Sequence, residues 1–150
     1  MKKIILSMGL LVTMGLATAL ADDGHGINSA VSSSFERDFA SAKNVNWERQ
    51  KDFIKATFNM NDLVMYAYYQ PDGELLAVSR NLLSNQLPIF LRGDLKKNYG
   101  SYWISDLFEL ASNDQSNYYI RVENADENLV LKSDGYNGWT IYKREKKTSI

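Results

Sequence analysis

Apolar positions along this chain fall into two kinds of pattern. From Ile4 to Leu16 they run almost without a break; beyond that they recur in short, periodic stretches. Phe35, Phe39 and Ala42 stand at i, i+4 and i+7, the spacing of one helical face, and predict a helix starting near Ser33. Ser33 and Glu36 are spaced as a capping box, in which each side chain satisfies an amide of the first turn. Period-two alternation then predicts short strands near 45–47, 53–58, 63–69 and 74–80. Between the last two lies Gln70-Pro71-Asp72-Gly73, a tight turn with proline and glycine where such turns favour them.

The pattern then restarts. Pro88 suits the first position of a second helix, Leu91, Leu95 and Tyr99 form its apolar stripe, and Gly100 is a natural stop. Strands are predicted near 101–110, 118–123, 129–132 and 139–142, with turns at 124–128 and 133–135. Phe35, Phe39 and Trp47 recur as Leu91, Leu95 and Trp103, each 56 residues on, and Asp72-Gly73 is answered by Asp134-Gly135. The expected fold class is therefore α+β: two tandem helix-plus-antiparallel-strand repeats, about 32–84 and 85–150, forming one sheet with the helices on one face.

The unbroken apolar run has a different meaning. Lys2 and Lys3 precede it and Ala19-Leu20-Ala21 closes it with small residues at a cleavage site, as in a secretory signal peptide cut before Asp22. This makes 1–21 a leader, 22–31 a flexible lead-in and 32–150 the domain, and it places the protein in the periplasm or outside the cell. Nothing downstream is long and apolar enough for stable membrane insertion. The chain has no cysteine, which excludes disulfides, thiol catalysis and a lipid-modified cysteine. Its net charge is −1, and about −3 without Lys2 and Lys3, so no strong overall field favours nucleic acid or anionic lipid. The basic run 143–147 reads as a solvated terminus.

The string Phe35-x3-Phe39, Val45-Asn46-Trp47, Ala56-Thr57-Phe58, Ala67-Tyr68-Tyr69-x2-Asp72-Gly73-Glu74-Leu75 and Leu87-Pro88 resembles the PepSY-like family of β-lactamase-inhibitor-like (BLIP-like) exported proteins. The likeness spans roughly 33–142, and its motifs are core aromatics and turns. It implies a curved antiparallel sheet with helices on the convex side, an exported protein and no catalysis. Inhibition of a β-lactamase does not carry over, because no inhibitory loop aligns and the disulfides of that inhibitor are absent.

Catalytic constellations are missing from the sequence. His25, the single histidine, lies in the lead-in, away from any triad, and becomes fourth after cleavage rather than third, as a terminal copper or nickel site requires. Asn124, Asp126 and Asn128 imitate a calcium loop, but Leu129 replaces its glycine and Gly135 its glutamate, so a turn is the better reading. Glu74, Asp106 and Glu109 give no sign of pairing for acid–base work. No enzyme, cofactor or metal is expected.

Nine tyrosines and three tryptophans carry the one functional signal. If 54/56/58, 65/67/69, 76/78, 118/120/122 and 139/141 face the helices, the opposite face carries Tyr66, Tyr68, Tyr119 and Tyr142 with Lys55, Arg80, Arg121 and Lys132 beside them. Tyrosine with arginine is the composition of a recognition surface. The expected function is a non-catalytic exported binding protein whose partner, a protein or peptide, meets Tyr66, Tyr68, Tyr119, Arg121 and Tyr142; an inhibitor of an envelope enzyme is one version. The alternative is a periplasmic module sensing a small ligand or ion.

Overall fold

The computed structural model describes residues 26–113 and 115–147; the predicted leader and His25 lie outside them. The elements run α1 (Ser29–Asp38), β1 (Lys43–Arg49), β2 (Ile54–Met60), β3 (Leu63–Tyr69), β4 (Leu75–Asn81), a 3-10 turn (Ser84–Gln86), α2 (Ile89–Tyr99), β5 (Trp103–Ser112), β6 (Gln115–Glu123), β7 (Glu127–Ser133) and β8 (Thr140–Lys146). All eight strands join in one antiparallel sheet in the order β1 to β8.

This corrects the expected architecture. Over the described residues the chain is a single eight-stranded meander with two short helices, not two tandem helix-plus-strand repeats. The physical reason is that nothing separates the halves. β4 pairs with β5 from Val78–Ala111 to Asn81–Phe108, so the ladder continues through the middle of the chain. One apolar cluster joins Phe53, Tyr68 and Ala77 of the first half to Leu110, Tyr119 and Val130 of the second. This cluster draws on both halves, whereas the clusters under the helices lie wholly or almost wholly within one half each.

Helix α1 begins at Ser29, before the predicted Ser33, because Asn28 is the better cap. Its Oδ1 accepts from the N–H of Ala30 (2.6 Å) and of Val31 (3.3 Å), two amides the first turn leaves orphaned. Its Nδ2 donates to the Pro71 carbonyl at 2.5 Å, and Arg49 donates to the Gly26 carbonyl. Residues 26–28 are thus tied to the sheet. Gly73 is required here: it sits at φ 94°, and a Cβ would stand 2.7 Å from the Ala30 carbonyl oxygen. The basic run near the end also differs from expectation, since it forms most of β8 and pairs with β7 while its side chains stay exposed.

Both helices cover the same face. Under α1, Val31 and Phe35 meet Ile54, Ala56, Phe58, Ala67 and Tyr69. Phe58 lies 5.0 Å from Phe35 and 4.8 Å from Phe39, centroid to centroid. Under α2, Leu91 meets Leu107, Ile120, Val122, Leu129 and Leu131. Trp139 locks this second contact: its indole N–H donates to the Leu91 carbonyl at 3.0 Å, and its backbone N–H to Asp94 Oδ2 at 2.8 Å. The ladder is interrupted at both outer strands, between Lys43 and Asn46 on β1 and opposite Val130–Leu131 on β8.

Candidate partner-binding face

Alternation along the strands sends the third cluster to the face that carries no helix. Lys55 pairs across the sheet with Tyr68 and Tyr68 with Ala77; Leu110, Tyr119 and Val130 continue that face on β5, β6 and β7. Here the structure places the five predicted partner-binding residues, and it separates them by depth. Tyr68 and Tyr119 are buried, at 4% and 1% exposure. Tyr66 and Arg121 are half-buried, and Tyr142 is exposed at 40%.

Among the described residues no helix lies over the buried pair. Phe108 stacks on Tyr119 at 5.3 Å and 17°, Tyr142 meets the same ring edge-on at 5.9 Å, and Lys132 Nζ stands 5.7 Å from its centroid. Tyr68 meets Phe53 at 5.7 Å, and its hydroxyl shares a hydrogen bond with Ser79 at 3.4 Å. Neighbouring rings and a lysine stem do what a helix does on the other side. Burial raises the Tyr68 and Tyr119 hydroxyls above the ordinary tyrosine value, so both stay neutral at physiological pH.

The rim of the cluster is charged. Lys55 Nζ lies 5.3 Å from the Tyr66 centroid and 3.1 Å from Glu48, and Lys143 pairs with Glu145 at 2.5 Å. The bond from Lys143 holds the Glu145 carboxyl below its ordinary range, and Arg121 adds to that shift. Lys147 pairs with Glu123 at 2.9 Å and caps the Trp103 ring at 5.0 Å. An apolar, ring-built centre with a polar rim is the anatomy of a protein–protein interface.

Two residues sit elsewhere than the alternation suggested. Arg80 is on the helix side, where its Nη2 pairs with Glu109 at 2.8 Å. Leu76 joins the helix-free cluster because the register slips there: Tyr68 faces Ala77 but Tyr69 faces Leu75, leaving Leu76 as the extra residue of a bulge. Sequence reasoning missed Phe108, Leu110 and Val130 on this face. The signal was present in the phase of Asp106, Phe108 and Leu110, which puts apolar residues on the side assumed to be polar. Among the described residues no three histidine, cysteine or acidic side chains group to hold a metal, and no helix is long and apolar enough to cross a membrane.

Against known proteins, the likeness is one of shape. A BLIP-like protein from Bacteroides fragilis superposes with a TM-score of 0.70 at 16% identity, over 85% of this chain and 94% of that one. The fold is BLIP-like. A DUF2874 family protein from Bacteroides ovatus gives 0.69 at 16% identity, over 82% and 89% of the two chains. A protein from Bacteroides eggerthii, proposed to be periplasmic, gives 0.70 at 12% identity, over 79% and 88%. No protein-family model and no curated protein matches the sequence. Identities this low speak for the fold alone, so the BLIP-like part of the sequence resemblance is met in the architecture, and the PepSY-like part gains nothing from these neighbours.

Proposed function

We propose that this is a non-catalytic exported binding protein that recognises a protein or peptide through the helix-free sheet face. The observation that carries the reading is an aromatic cluster on the sheet face opposite both helices, surrounded by charged side chains. On this reading Tyr66, Arg121 and Tyr142 touch the partner, while Tyr68 and Tyr119 support them from below. The leader at 1–21 exports a domain formed by 32–150, with the PepSY-like kinship of its motifs as a further part of the proposal. The periplasmic assignment proposed for one structural neighbour and the BLIP-like fold support an envelope location. Inhibition of an envelope enzyme is the version of this function that the fold brings to mind.

Site-specific photocrosslinking tests it in the native envelope. A benzophenone side chain at Tyr142 or Tyr66 should trap a discrete adduct, and the same group at Ser32 on α1 should not. Adducts that form equally well from Ser32, or that never form from the sheet face, would sink the reading.

A further inference from the structure

Helix α2 turns one side away from the sheet. Leu91 is buried and Leu95 and Tyr99 pack against the core beneath, which leaves Ile89, Phe90, Gly93, Lys96 and Lys97 on the outward side and Arg92 exposed at its flank. Ile89 is 80% exposed and Phe90 45%, and Leu83, just before the 3-10 turn, adds a third large apolar side chain at 68%. Single exposed apolar residues are ordinary; three within eight positions at one helix start are not. Gly93 in the middle has nothing within 4 Å of where a Cβ would be, so this side lies open.

The charges behind these residues are all of one sign. Among the described residues Arg92, Lys96 and Lys97 form no ion pair. Asp94, the one acid of the helix, is held toward the fold by the Trp139 N–H at 2.8 Å and also accepts from the exposed Asn98 amide one turn on, at 2.6 Å. A chain of net charge −1 thus gathers three unpaired cations within roughly 12 Å of exposed isoleucine and phenylalanine.

We propose that the outward side of α2, with Leu83, docks on an anionic phospholipid surface. The apolar side chains enter the headgroup–acyl boundary, and the cations lie on stems long enough to reach lipid phosphates. The contact is peripheral and leaves the sheet fully folded. It is independent of the helix-free face, which α2 does not cover, so a protein held this way keeps that face free for a partner.

Vesicle flotation tests it, using the chain from Asp22 onward so that the apolar leader cannot insert. The vesicles are phosphatidylcholine alone or with about one-third phosphatidylglycerol. The protein should float with the anionic vesicles at low salt and be largely released at about 0.5 M NaCl. Ile89→Ser with Phe90→Ser, and separately Arg92→Glu with Lys96→Glu, should each lower the bound fraction about tenfold. Circular dichroism and melting temperature should stay close to the parent's, because all four side chains are exposed. A parent protein that stays in the dense fractions with both vesicle types overturns the proposal. Equal flotation of parent and variants does the same, as does an Ile89- and Phe90-dependent dimer without flotation.

Discussion

On the helix-covered side of the sheet, Phe58 and Tyr69 lose contact with solvent beneath α1; on the opposite side, Tyr119 is equally hidden with no helix above it. The first arrangement follows from layer packing. The second depends on rings lying across one another and on Lys132 extending over Tyr119. A sheet face can therefore look like a recognition surface in composition and still keep half of its aromatics as core. On the proposed reading, the rim carries the partner contact, and there Tyr142 and the half-buried Tyr66 and Arg121 lie.

The strongest way to break this comparison is to truncate one ring from each side. Phe58→Ala removes a fully buried ring from the contacts with Phe35 and Phe39, and should cost about 3–5 kcal/mol in urea unfolding. Tyr119→Ala should cost nearly as much, about 2–4 kcal/mol, despite lying on the uncovered side. A loss below about 1 kcal/mol would show that this side is surface after all.

Alkaline titration sharpens the same point. Burial raises the hydroxyls of Tyr69, under α1, and Tyr119, on the open side, above the value of 10.0 they take when unfolded. The unfolded chain then releases protons that the folded one keeps, so stability is fully present below about pH 10 and falls as pH rises beyond it. Melting temperatures across pH 9 to 12 should fall for the parent. The Tyr69→Phe and Tyr119→Phe variants should each flatten that slope by a similar amount, whereas unequal flattening would break the equivalence of the two sides. The smallest effect is expected at the rim, where Tyr142→Ser should change stability by less than about 1 kcal/mol while weakening partner crosslinking from Tyr66.

Much of this was legible in the chain, and the failures have physical causes. Strand β3 was read with its true bounds, Leu63–Tyr69, because a polar turn and a proline–glycine turn close its two ends. Helix α2 kept its stripe of Leu91, Leu95 and Tyr99 and its stop at Gly100. The start of α1 was misplaced because Asn28 caps the neighbouring amides of Ala30 and Val31 while its Nδ2 is held by the Pro71 carbonyl, 43 residues away. Matching of Phe35 to Leu91 suggested two tandem repeats sharing one sheet, whereas the strands form a single eight-stranded meander in which β4 pairs directly with β5. At the site, alternation assigned Tyr66, Tyr68, Tyr119 and Tyr142 to the right side of the sheet. It could not show depth, since burial of Tyr119 depends on Phe108 and Tyr142 from other strands.

The irregularities on β1 and β8 have a consequence for how copies of this protein behave together. An open meander ends in two bare edges, each able in principle to template another chain into a growing fibre. On β1 the break falls beside Asn44, whose left-handed φ of 54° turns the backbone out of line, so a flat strand cannot follow it. On β8 the extra residue is Tyr142, and the strand presents Lys143, Arg144 and Lys146, which repel an identical strand laid alongside. The molecule can thus leave its sheet unclosed while both edge strands discourage a second copy from pairing alongside.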